Sequence, residues 1–330
     1  MLYAYVPRAN TVERVDLTDM PGAPPANVVW FDLFEPTAQE VKRVETLLDL
    51  SLPTREEMQE IEPSSRLYVE NDAAYMTATA LHHADDPNPR HDPITFVLSK
   101  HHLVTLRYVD PKPFTIFAQR YARQPATCGS GEDALIALLE AFVDRIADIL
   151  EKVGTDLDKL SHAIFRGSGE NGGPKQPIDM QRVLRDLSRY DDLCSTSRES
   201  LVSLGRVVRF ISAILETGMK AKDKERRATL KSLTRDIETL AEHATFESQK
   251  VSFLLNGTLG LINIEQNRII KLFSVAAVVF LPPTLVASIY GMNFDVMPEL
   301  KWALGYPLAI GLMVLSAVVP YLFFKRKGWF

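Results

Sequence analysis

The sequence predicts an α+β soluble domain that continues into long stalk helices and ends in two transmembrane helices. Three observations predict it: two uncharged apolar runs lie near the C terminus, helical periodicity dominates the middle, and strand-like segments are confined to the first third. At 330 residues the chain exceeds one typical domain. Its formal charge of −5 and mean hydropathy of −0.04 conceal how unevenly the apolar residues are spread.

In the first third, residues 28–33 (VVWFDL) read as a strand and residues 37–50 as a helix with Thr37 as N-cap. Residues 73–81 alternate in part, and 94–98 with 103–108 bracket Ser99, Lys100, His101 and His102 as a hairpin would. From residue 132 the period changes. Leu135, Leu138, Leu139, Phe142, Ile146, Ile149, Leu150, Val153 and Leu157 recur at helical spacing, giving one long amphipathic helix. Residues 167–175 (GSGENGGPK) interrupt it, and a second helix over about 178–216 is expected to pair with it antiparallel.

A third helical stretch, about 224–271, has no proline and runs into the first apolar segment without a linker. One continuous helix is expected, on the order of 70 Å long before the bilayer begins. The apolar runs, 272–294 and 302–324, are each 23 residues without Asp, Glu, Lys or Arg, enough to span a membrane. Arg268 and Lys271 precede the first and Lys325, Arg326 and Lys327 follow the second, which places both termini in the cytoplasm. The expected division is an α/β domain over 1–130, paired helices over 131–223, a stalk over 224–268 and a first span over 269–290. An outer loop over 291–303, a second span over 304–324 and a basic tail over 325–330 complete it.

Several function classes fit poorly. The start (MLYAYVPR) has no basic leader or apolar core of signal-peptide length, so the soluble part is expected to remain in the cytoplasm. Cys128 and Cys194 match neither a redox pair nor a zinc spacing and read as reduced thiols. The acidic balance argues against nucleic acid, and the one basic cluster, 220–227 (KAKDKERR), reads as a solvated helix start. Residues 167–172 fit G-x-G-x-x-G but follow a helix instead of a strand, so a loop is expected. The pairs His82, His83 and His101, His102 lack helical metal-ligand spacing, and no catalytic grouping stands out.

The first span is more polar than an anchor requires. Asn267, Ile270, Phe273, Ala277, Leu281, Thr284 and Ser288 follow at steps of three or four and share one stripe, with Asn293 beyond its end. Pro282 and Pro283 deprive the carbonyls of Val278 and Val279 of helical donors, which lipid cannot replace. Such a stripe can line a pore if several copies gather around one axis; lipid-facing packing is the plainer reading.

Tyr290, Gly291, Met292, Asn293 and Phe294, followed by 297–300 (MPEL), resemble the signature loop of the CorA family of magnesium transport proteins. Segments 263–273 (NIEQNRIIKLF), 280–287 (FLPPTLVA), 305–307 (GYP) and 325–329 (KRKGW) are similar to bacterial members too. The resemblance implies a homopentameric, funnel-shaped channel in the cell inner membrane, moving Mg²⁺ and also passing Co²⁺ and Ni²⁺. It implies a selectivity loop of Gly291, Met292 and Asn293, with Asn293 meeting the hydrated ion. Asn267 and Thr284 would be polar rings, and Ile270, Phe273 and Leu281 apolar constrictions. It also implies gating by cytoplasmic Mg²⁺, for which Asp236 is the candidate ligand; an exposed helix carboxylate is the plainer reading there. A zinc transporter of the same superfamily, or a membrane-anchored sensor or scaffold, remains the alternative.

Overall fold

In the computed structural model, all residues are described except 9, 10, 19, 21–23, 26, 87, 101, 124–128, 167–178, 216–220, 294–296, 329 and 330, and the side chains of 63, 166, 221–223, 299 and 300. Cys128, His101, Phe294 and the Gly-rich segment 167–175 therefore lie wholly or mainly outside the described residues. The chain divides into two compact units, 1–255 and 256–330.

The first unit is built on a mixed seven-stranded sheet in the order β2-β1-β3-β7-β6-β5-β4. Its strands are β1 (Leu2–Pro7), β2 (Val12–Asp16), β3 (Trp30–Phe34), β4 (Leu67–Glu70), β5 (Ala73–His82), β6 (Arg90–Ser99) and β7 (His102–Arg107). Only β3 and β7 run parallel; the expected hairpin is β6 and β7, paired Leu98 to Leu103 beside its turn. Side chains alternate between two cores, as the two-residue period requires. Trp30, Met76 and Phe96 face helices α4 (Lys112–Arg123), α5 (Gly131–Arg166) and α6 (Met180–Leu215), while Phe31, Tyr75 and Val97 face α1 (Ala38–Leu48) and α2 (Arg55–Met58). With both faces covered, all ten residues of β5 are buried, which explains why its sequence alternates only in part.

Local chemistry places these elements. Thr37 caps α1 in a reciprocal box with Glu40, and left-handed Asp49 ends the helix. A short helix α3 (Pro63–Arg66) leads into β4, which pairs with β5 only from Ala73 to Met76. Beyond that point α6 supplies hydroxyls to the open edge: Thr79 N donates to Ser203 Oγ (2.9 Å), and Ser200 Oγ donates to the Thr79 carbonyl (2.9 Å). Backbone groups that would be orphaned under a helix are thus satisfied.

Across the central strands, Arg107 Nε and Nη2 donate to the two oxygens of Asp32 (3.1 and 3.0 Å), and Nη1 donates to Asp110 (2.6 Å). The guanidinium carbon lies 4.3 Å from the ring centres of both Phe34 and Phe114. Burial works against that charge, but Asp32 and then Asp110 outweigh it, and the Arg107 pKa stands above its ordinary value. Burial and the Asp32 charge push Tyr5 up to about 12.

The expected helices over 132 onward and 178–216 are α5 and α6, which pack together against the sheet. The continuous third helix is α7 (Ala221–Tyr290), 70 residues long, passing through Pro282 and Pro283 without a break. A 3₁₀ turn (Pro298–Lys301) and α8 (Gly305–Arg326) follow. The sequence reading missed β1, β2, β4 and α4. β2 and β4 are largely exposed strands with weak alternation, and α4 carries its helical signal in three aromatic residues, Phe114, Phe117 and Tyr121.

Replacing Asp32 with Asn leaves a buried guanidinium short of its main counter-charge. Urea unfolding of the full-length protein in detergent, followed by tryptophan fluorescence, should show a loss of about 3 kcal/mol, the lower range for a broken buried pair because Asp110 remains.

Candidate functional site

The second unit holds the end of α7 and all of α8. Each contains an apolar stretch of 18 residues, of which only 6% is buried. A core helix of a soluble protein would be mostly covered, and a secretion signal would sit at the N terminus; neither describes these helices. They require an apolar surrounding that the chain itself does not supply, which a bilayer does.

What is covered forms a pattern. On α7, Val275, Val279, Pro283, Val286 and Tyr290 are buried or half-buried. On α8 the covered residues are Gly305, Ala309, Met313, Ser316, Ala317, Pro320 and Phe324. With Pro282 beside Pro283 on α7, both sets recur at intervals of three or four, so each helix keeps one covered stripe. Gly305 and Ala309 stand four apart, the small-residue spacing that lets membrane helices approach closely. The sequence reading did not single out this contact stripe, although that spacing was its signal.

The stripe expected to line a pore lies on the other side. Phe273, Ala277, Leu281, Thr284 and Ser288 are all exposed, and each stands two residues before a covered one, about 200° round the helix. Asn267 and Ile270 continue it toward the soluble unit and are exposed as well. Ile270, Phe273 and Leu281 are 60%, 74% and 67% accessible. The structure therefore brings all seven predicted residues onto one face and leaves that face without a cover from the same chain.

Thr284 Oγ1 donates to the Phe280 carbonyl (2.7 Å), one turn back, so the hydroxyl keeps only acceptor capacity toward its surroundings. Gly291 ends the helix, its N–H donating to the Ala287 carbonyl (3.0 Å), with Met292 N donating to Ile289 (3.3 Å). A Cβ at Gly291 would meet the Ala287 oxygen at 3.2 Å, closer than side chains ordinarily sit. Glycine thus eases the exit that carries Met292 and Asn293, both exposed.

Asp236 is an exposed residue of α7 with no ion pair among the described residues, and no group of three metal-ligating side chains occurs among them either. The His82 and His83 rings meet edge to face with centres 4.7 Å apart, and each is hydrogen-bonded to its own carboxylate, Asp92 (2.6 Å) and Asp86 (2.7 Å). Burial pushes the Cys194 thiol up to about 12, which keeps it protonated and unreactive.

A family profile described as CorA-like Mg²⁺ transporter protein matches residues 25–326. The magnesium transport protein CorA of Escherichia coli (strain K12) is 37% identical over 331 aligned positions, covering 100% of both chains. That of Yersinia pseudotuberculosis serotype I (strain IP32953) is 36% identical over 329, again covering 100% of both. Among solved structures, the complete CorA magnesium transporter of Methanocaldococcus jannaschii superposes with a TM-score of 0.73 at 17% identity, covering 100% of this chain and 99% of that one. Likeness at that identity speaks to the fold.

If the uncovered stripe faces water in the assembled protein, single cysteines at Ala277 and Thr284 should react with a membrane-impermeant thiol reagent. Cysteines at Val279 and Val286 should not, with Cys128 and Cys194 first replaced by serine. Equal labelling of both faces would reject the orientation.

Proposed function

The chain belongs to the family of CorA-like Mg²⁺ transporter proteins, and we propose that it lets Mg²⁺ cross a membrane passively through a path shared by several copies. The observation that carries this reading is the exposed stripe from Asn267 to Ser288, opposite the covered face. Two spans cannot enclose a conduit, so the stripe becomes a wall only when identical copies close a ring, and cyclic symmetry makes the same face meet the axis in each. The CorA likeness supports five copies.

Mg²⁺ holds six waters tightly and sheds them reluctantly. A ring of Asn293 amides at the outer mouth presents neutral oxygens that hydrogen-bond the water shell without replacing it, whereas carboxylates would hold the ion too strongly to release it. Gly291 and Met292 set the turn that aims Asn293. Below it, Thr284 and Asn267 offer polar rings, and Leu281, Phe273 and Ile270 narrow the path with apolar side chains that water leaves easily. Basic flanks support a topology with both termini in the cytoplasm and the Gly291 turn outside. An inside-negative potential then favours entry of a divalent ion by roughly 4 to 5 kcal/mol per 100 mV, so no nucleotide is needed.

Cytoplasmic Mg²⁺ closes the path in this reading, with Asp236 of one copy meeting an acid of the next. Its exposure and lack of an ion pair suit a ligand completed between copies.

Ion-resolved uptake into liposomes tests the function. Purified protein should admit Mg²⁺ in competition with Co²⁺ and Zn²⁺, and Asn293→Ala should lower the rate by about tenfold or more, equal to about 1.4 kcal/mol at the barrier. No uptake would leave an anchored scaffold as the better reading, and unchanged flux in the variant would remove Asn293 from the selectivity ring. Separately, Asp236→Asn should raise the internal Mg²⁺ that half-closes the channel; an unaltered block would remove Asp236 from gating.

A further inference from the structure

A cleft of about 680 Å³ opens in the first unit where α3, the exposed edge of β5, α6 and α7 meet. Arg66, Arg198 and Arg206 line it, and the acid in its wall is Glu199, whose carboxylate lies 3.6 Å from His91. Among the described residues none of the three arginines has an ion pair. Arg107, Arg145 and Arg226 of the same unit each meet a carboxylate within 3.0 Å. Arg66 spends its donors on neutral acceptors, the Glu60 carbonyl and Thr79 Oγ1 (3.2 Å). Burial, and next the facing charge of Arg206, hold its pKa below the usual guanidinium value. The floor carries the buried hydroxyls of Thr79 and Ser203.

Like charges gathered around a cleft repel one another, and Glu199 offsets only part of that repulsion, since the Arg66 pKa still lies below its usual value. An oxyanion with several acceptor oxygens would do so: guanidiniums match phosphate geometry through paired N–H donors, and the volume suits a small ligand. We propose that this cleft binds a small soluble phosphate compound, held by Arg66, Arg198 and Arg206. The site is separate from the ion path and uses none of the residues assigned to it.

Calorimetric titration of the full-length protein in detergent tests the proposal, using sodium pyrophosphate and ATP at constant ionic strength. The buffer contains EDTA, so that binding of magnesium by the probe cannot produce the signal. The expected result is saturable binding of pyrophosphate, weakened about tenfold or more by Arg206→Gln and less by Arg206→Lys. ATP binding that falls in the same variants would extend the site to nucleotides; ATP that fails to bind while pyrophosphate does would restrict it to inorganic phosphates. Absence of saturable pyrophosphate binding to the unaltered protein overturns the proposal, as does equal binding by Arg206→Gln. Should that variant fold poorly, Arg198→Gln, at an exposed position, gives the same comparison.

Discussion

Hydrocarbon cannot hydrogen-bond, and the rest of this structure is arranged around that fact. Within the spans every polar group must find a partner in protein or water. α7 nonetheless carries Thr284, Ser288 and two adjacent prolines through the apolar segment, with Thr284 and Ser288 on its uncovered face. The apolar surfaces call for lipid, and in the proposed reading the mixed stripe is completed by further copies of the chain.

The soluble unit meets the opposite demand, since it must be rigid in water. A sheet covered on both faces, a buried Asp32 and Arg107 pair clamped between Phe34 and Phe114, and serines of α6 bonded to the edge of β5 leave its core few alternatives. α7 begins in that unit and ends at the Gly291 turn, one unbroken helix of 70 residues.

Much of this was legible in the residues because the strongest signals are the physically obligatory ones. Uncharged runs of 23 residues, helical spacing over α5 and α6, and Thr37 as a cap follow from rules that tertiary context rarely overrides. The stripe was legible because 3.6 residues per turn fixes which side chains share a face. What stayed hidden depended on partners far away in sequence. β2 and β4 carry little pattern of their own and exist because β1 and β5 offer them an edge. The cleft between Arg66 and Arg206 joins residues 140 positions apart, and Asp236 reads as an ordinary helix carboxylate from either direction.

The central claim is that one copy alone has no pathway. Its most direct test is Mg²⁺ flux into liposomes loaded so sparsely that most hold one particle, prepared in parallel from the monomer and the oligomer fractions of the detergent-solubilised protein. The account predicts flux from the oligomer and none from the monomer. Mg²⁺ uptake by vesicles containing a single chain would contradict it.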